Sequence, residues 1–368
     1  MIKFNLTYKN ILLLIPIITL IIWFSFKKIN NEPIIKEKIN LNKYTNDNLD
    51  IVYKKYPKIN DCIFVSIGSY RDDECPLTIK SLYDNADEPE KIFIGVCSQN
   101  KESNEECIDD NYKYKKQIRM KRLGYKDALG PQYARYMCSQ LWRGEEYYLQ
   151  IDSHLVFKKS WDTIIKNMYK KLPNKSVLTH YPPSKIDSDP SYTCSSHFEN
   201  NFHIISEAKI TNFDKPLITP YFSAGLMFID SNFLYEIPYD PYLPYLFQGE
   251  EVLMAIRFYT NGWNLYNLSE PIATHNYERN DKPHFWSDHK HIDWRKIQNE
   301  SHKRYYKIIK QGEEILPIFN KKIEKYGLGN IRTVEDFFKF SGIDFKNKKV
   351  ESRCNKKYDI KTNIWIKK

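Results

Sequence analysis

This sequence predicts an α/β fold, a mixed but mostly parallel sheet flanked by helices, and three short apolar runs with helical stretches between them carry the prediction. Cys62–Ile67, Lys91–Val96 and Tyr147–Ile151 are rich in β-branched and aromatic residues and read as buried strands. Pro76–Tyr83 and a stretch from about Gln132 to Trp142 read as the intervening helices. Strand, helix, strand, helix, strand implies parallel pairing through right-handed crossovers.

The segment after the first run, Gly68-Ser69-Tyr70-Arg71-Asp72-Asp73, has neither the spacing of a phosphate-binding P-loop nor the glycines of a dinucleotide site, which disfavours ATPases and NAD enzymes. With 28 Tyr, 20 Phe and 7 Trp in 368 residues, the chain has ample apolar surface for a large core and is not of disordered type. The net charge of +10 comes from Lys in a chain also loaded with Asn and Ile, the composition that an AT-rich genome, a viral one included, imposes. The Lys113–Lys121 and Lys346–Lys349 runs read as solvated faces. Without zinc-finger spacing or an interleaved aromatic ladder, no nucleic-acid partner is expected.

Ile11–Phe26 is a nearly unbroken apolar run of about 16 residues, a little under the ~20 of a comfortable membrane span. Bulky aromatics and Lys27-Lys28 close it where a cleaved leader needs small residues, so an uncleaved anchor is favoured over a signal peptide. The expected organisation is a tail at 1–10, a transmembrane anchor at 11–26, a stem at 27–58, a main domain at 59–310 and a C-terminal extension at 311–368. Lys3 and Lys9 balance Lys27 and Lys28, so charge scarcely fixes orientation. A single-pass, type II arrangement with the main domain lumenal in the secretory pathway is the expectation.

Asp152-Ser153-His154, at the carboxyl end of the third run, carries the chemistry. Residues two apart on a strand share a face, and in α/β sheets ligands collect beyond the carboxyl ends of strands. A carboxylate and an imidazole presented together there suit a divalent cation, although such a triplet also serves merely to cap turns. Mixed oxygen and nitrogen donors suit manganese better than calcium or magnesium. A cation in that place would meet a phosphate-bearing donor, so the chain reads as a metal-dependent glycosyltransferase.

Several segments extend this reading: Ile63-Phe64-Val65-Ser66-Ile67-Gly68-Ser69-Tyr70-Arg71-Asp72, Gly130-Pro131 with Ala134-Arg135, Gly144-Glu145-Glu146-Tyr147 through to His154, Leu246-Phe247-Gln248-Gly249-Glu250-Glu251, His275-x-Tyr277-x-Arg279, and Arg332-Thr333-Val334-Glu335-Asp336-Phe337. In order and spacing they resemble glycosyltransferase family sixty, the polypeptide α-N-acetylglucosaminyltransferases that modify hydroxyproline or threonine, over roughly residues 61 to 345. The resemblance implies a GT-A nucleotide-diphospho-sugar transferase fold. It also implies retaining transfer of GlcNAc from UDP-GlcNAc to a hydroxyl of hydroxyproline, Thr or Ser in a protein acceptor, with a divalent cation, usually manganese. Two other readings stay open: the same fold using UDP-galactose, UDP-glucose or UDP-GalNAc, and a non-catalytic module that binds glycan or protein.

The resemblance also implies roles for further residues. His275, after the probable strand Pro271–Thr274, is expected as the third metal ligand beside Asp152 and His154, with His284, His289 and His291 as rivals. Glu250 and Glu251 are the catalytic candidates, where acceptor hydroxyl and donor sugar would meet. Adjacent helix residues point about 100° apart, so one of the two would face the site, and both acids also simply favour a helix N-terminus. Ser66, Ser69, Tyr70 and Arg71 are expected near uridine and ribose, with Ser153 beside the donor. Arg135 is expected to anchor the motif carboxylate or a phosphate, and Arg279 the pyrophosphate. Tyr239–Phe247 reads either as an aromatic wall for the acceptor or as a packed loop, and Pro220–Ile229 as a strand with a small-residue kink. Among seven cysteines there is no Cys-x-x-Cys pair, and in a lumenal protein Cys97 and Cys107 could bridge.

Overall fold

Four adjacent strands, β1 (Ile59–Tyr70), β2 (Ile92–Asn100), β3 (Ile118–Gly124) and β4 (Glu145–Ile151), run parallel along one side of an eight-stranded sheet in a computed structural model of the chain. In chain order there follow β5 (Leu155–Phe157), β6 (Ser176–Thr179), β7 (Ser191–Glu199), β8 (His203–Ile210), β9 (Leu217–Thr219), β10 (Leu226–Asp230), β11 (Asn264–Asn267) and β12 (Ala273–His275). The order across the sheet is β3-β2-β1-β4-β10-β6-β11-β9, with β10 antiparallel to both neighbours, β4 and β6. Two further pairs matter below, β5 with β12 and the β7–β8 hairpin. The expected mixed, mostly parallel α/β sheet is therefore present. The described residues are 40–101, 107–108, 111–199, 203–278, 282–311 and 318–367.

The chain divides into two compact units, one of Asn40–His289 with Trp294–Lys368 and one of Met1–Ile39 with Lys290–Asp293. The first holds the sheet and the candidate site. The expected anchor at 11–26 lies outside the described residues, among which no helix is long and apolar enough to cross a membrane. Residues 40–58, expected in the stem, pack on the domain: the Tyr53 hydroxyl is 2.6 Å from Ser139 Oγ, and the Tyr326 hydroxyl donates to Asp50 Oδ1 at 2.7 Å.

Alternation along the strands divides the core between the two sheet faces. Ile63, Val65 and Ile67 of β1, with Leu149 and Phe228, pack against Ile79 and Leu82 of the helix Cys75–Asp84 and Trp161 of the helix Trp161–Tyr169. Phe64, Tyr148 and Met227 face the other way, onto Ala134 and Cys138 of the helix Pro131–Ser139 and the apolar stripe of the helix Glu250–Thr260. A Cβ on Gly68 would come within 3.1 Å of Ala134 Cβ, which lets the helix lie close to β1.

The structure bears on three of these readings. β3 falls at the end of the Lys113–Lys121 run, where Lys and Arg occupy an exposed sheet edge, a placement that discourages edge-to-edge association. Tyr239, Tyr242 and Tyr245 are each no more than 1% exposed, so Tyr239–Phe247 is a packed loop, and only Phe247, at 42%, is open. The disulfide joins Cys194 of β7 to Cys354, whereas Cys97 and Cys107 are buried thiols that take no part in a disulfide.

Candidate active site

β4 ends at Ile151 and β5 begins at Leu155, so Asp152, Ser153 and His154 form the turn between them and do not continue the pleat. The turn, not strand periodicity, brings the two side chains together. It is pinned from both sides. The Asp152 N–H donates to Gly225 O at 3.3 Å, and Thr78 Oγ1 donates to Ser153 O and accepts the Leu155 N–H, both at 2.9 Å. A Cβ on Gly225 would stand 3.1 Å from Asp152 Oδ2, so the glycine in the small-residue stretch makes room for the motif carboxylate.

Pairing of β12 with β5 places His275 opposite Leu155, beside the motif and 121 positions downstream of His154. One donor atom each of Asp152, His154 and His275 lies within 4.8 Å of the others. His275 Nε2 stands 3.4 Å from Asp152 Oδ2, near the roughly 3 Å that separates neighbouring donors held about 2.1 Å from one ion. His154 Nδ1 is engaged by Asp72 Oδ2 at 2.8 Å, which leaves Nε2 to face an ion. One carboxylate oxygen and two imidazole nitrogens form a donor set that fits a first-row divalent metal ion. His284, His289 and His291 take no part in any such group among the described residues, and His289 instead directs Nδ1 to Phe285 O at 2.7 Å.

Charge around the triad is organised by Arg135, on the helix Pro131–Ser139. Its Nη1 is 2.5 Å from Glu250 Oε1, and its Nη2 lies 3.6 Å from Asp152 Oδ1 and donates to Ala224 O at 3.3 Å. Burial alone would raise the Asp152 carboxyl, but the His275 hydrogen bond and the Arg135 charge outweigh it and hold it below its ordinary value. Glu250 goes the other way, raised by burial in spite of Arg135. Glu251 is pushed up to about 7, chiefly by burial, although the Ala224 N–H (2.8 Å) and the Tyr181 hydroxyl (2.6 Å) both donate to it. The two acids thus have separate partners on either side of the Ala224 backbone.

A solvent-open cleft of about 750 Å³ adjoins the triad, lined among others by Tyr70, Gln99, Arg135, Asp152, His154 and Phe285. Ser153 also lines it, donating its hydroxyl to Asp72 Oδ2 at 2.5 Å. Ser66 and Ser69 do not, because β1 runs on to Tyr70 and keeps them 1% and 0% exposed within the sheet. Arg71, in the left-handed region at φ 46°, turns to Asp288 Oδ2 (2.5 Å), an oxygen that also accepts from the Tyr70 hydroxyl at 2.9 Å. Arg279 lies outside the described residues. Sequence reading assigned no role to Asp72, Tyr181 or Tyr277. Asp72, as an acid in the segment leaving the first strand, and Tyr277, whose ring centroid lies 4.1 Å from that of His275, both fall within segments that carried the resemblance, whereas nothing in the sequence pointed to Tyr181.

A mixed sheet whose central strand ends in a carboxylate and histidine turn is an arrangement compatible with a glycosyltransferase of GT-A type. The chain belongs to the GlcNAc glycosyltransferase family, which it matches over residues 62–117 and 109–347. Among solved structures it is similar to GalNAc-T7 with UDP, GalNAc and Mn2+, at a TM-score of 0.52 and 14% identity, covering 76% of this chain and 56% of that one. It therefore spans little more than half of that neighbour's length. A Staphylococcus aureus TarS fragment, residues 1–349 in complex with UDP-GlcNAc, also matches, at a TM-score of 0.42 and 14% identity over 72% of this chain and 71% of that one. No curated protein sequence matches the chain.

Proposed function

We propose that this glycosyltransferase moves GlcNAc from UDP-GlcNAc, with retention and with the help of a divalent cation, to a hydroxyl of hydroxyproline, Thr or Ser in a protein acceptor, as in family sixty. The observation that carries the reading is the convergence of Asp152, His154 and His275 within 4.8 Å at the mouth of a cleft. Those three residues would hold the ion. When bound, it would supply positive charge to the diphosphate that leaves with the nucleotide. Asp152, kept ionised by its surroundings, is ready as a hard anionic ligand at neutral pH. Tyr70 and Phe285, with ring centroids 5.3 Å apart, give the cleft an aromatic side that suits a nucleobase.

In this reading Glu250 works through Arg135, fixing the guanidinium that faces Asp152. Glu251, with its carboxyl near 7, is the better candidate for handling an acceptor proton around neutrality. A dedicated base is not obligatory, since a leaving phosphate can take that proton on the donor's own face. Tethering through residues 11–26, with the catalytic domain lumenal, completes the proposal.

The test is donor hydrolysis by the purified chain across UDP-GlcNAc, UDP-GalNAc, UDP-galactose and UDP-glucose, with and without Mn2+. Manganese-dependent consumption of UDP-GlcNAc is expected. Preference for another sugar would overturn the donor assignment. A folded, manganese-loaded protein inert towards all four would point to a binding module.

A further inference from the structure

Asp72 is absent from the ligand triad, yet it contacts two of the three motif residues, Ser153 and His154. It leaves β1 two residues after Tyr70, and its carboxyl group is 1% exposed. Donors converge on it: the Glu74 N–H reaches Oδ1 at 3.0 Å, while the Ser153 hydroxyl and His154 Nδ1 reach Oδ2 at 2.5 and 2.8 Å. A carboxylate can only accept these hydrogen bonds, so the proton of a neutral His154 must sit on Nδ1 and the lone pair on Nε2. That is the tautomer a metal ligand needs at Nε2.

We propose that Asp72 is the positioning residue of the metal site, fixing both the ring orientation and the tautomer of His154 so that Nε2 is presented to the ion. This rests on the metal-dependent reading given above and deepens it. The backbone makes a clean test available. In Asp72→Asn the Glu74 N–H keeps the amide oxygen at the Oδ1 place, so the NH2 group falls at the Oδ2 place and points at His154 Nδ1. A donor there favours the opposite tautomer, with the proton on Nε2, and removes that nitrogen as a ligand without changing side-chain size.

Isothermal titration of Mn2+ into the full chain, with the Mn2+ electron paramagnetic resonance spectrum recorded alongside, reads this directly. Asp72→Asn is expected to weaken Mn2+ affinity by about 10- to 100-fold, the range typical of losing a partner that orients a ligand. In a His154→Ala background the same change should have no further effect, because Asp72 acts through that ring. If Asp72→Asn does not fold, Asp72→Ser carries the same measurement. Unchanged affinity, or an equal loss with and without His154, would overturn the inference while leaving the metal reading intact. Failure of the unaltered chain to take up Mn2+ would overturn both.

Discussion

Arg135 and Glu250 meet at 2.5 Å inside the protein, and the other arm of the same guanidinium stands 3.6 Å from Asp152. One cation therefore balances two carboxylates on different elements, the turn after β4 and the helix Glu250–Thr260. The balance is lopsided. If Glu250 is neutralised, Arg135 still faces Asp152, whereas without Arg135 the charge of Glu250 has no other ion-pair partner among the described residues. Arg135→Met is thus expected to destabilise by about 3–5 kcal/mol, the cost of stranding one half of a buried pair, and Glu250→Gln by clearly less. Urea unfolding of the two variants checks the order, and equal losses would refute it.

Asp152→Asn keeps the shape of the turn and removes the anionic donor. It is expected to lower manganese-dependent turnover by more than about 100-fold, beyond the range for an orienting partner, while circular dichroism stays unchanged. Activity within about threefold of the parent would exclude Asp152 as a ligand.

Gly225→Ala places a methyl 3.1 Å from Asp152 Oδ2, a separation that the carboxylate must relieve by turning aside. Affinity for Mn2+ is expected to fall by about 10-fold or more, because small misplacements at a site are costly, with little loss of thermal stability. A fall in melting temperature with unaltered Mn2+ binding would show that the carboxylate does not move.

Glu251 makes stability depend on pH. Its folded value of about 7 lies above the ordinary 4.5, so between those values the folded chain binds a proton that the unfolded chain has released. Stability from this group is fully present below 4.5 and is lost as pH rises through about 7, amounting to on the order of 1–3 kcal/mol. Glu251→Gln should remove that slope. Denaturation midpoints at pH 5 and pH 8 decide the matter, and parallel slopes in parent and variant would contradict it.

What the sequence revealed and what it hid follow from the range over which each signal acts. Asp152 and His154 were legible because ligand chemistry and close spacing coincide in one tripeptide. His275 needed the resemblance, since nothing local distinguishes it from His284 or His289, and only the β5–β12 pairing brings it to the motif. Asp72 was hidden because its partner is 82 residues away. Ser66 and Ser69 were misjudged because the first strand runs three residues past Ile67, which keeps both inside the sheet. In Tyr239–Phe247, composition could not separate a packed loop from an open aromatic face. Cysteine connectivity is not written in sequence at all, and the bond from Cys194 to Cys354 depends on where the β7–β8 hairpin lies.

That bond turns part of the polypeptide into a closed circle, its ends 160 positions apart. His275, Glu250 and Glu251 sit on the circle, whereas Asp72, Asp152 and His154 sit on the open strand of chain before it. Oxidation restricts the denatured ensemble by about 5 kcal/mol on the loop-closure picture, but only within the circle. An ion shared by Asp152 and His275 would stitch circle to strand, so thiol oxidation and metal occupancy would reinforce the folded state independently. In a reduced molecule the metal would then account for a larger share of a smaller total stability.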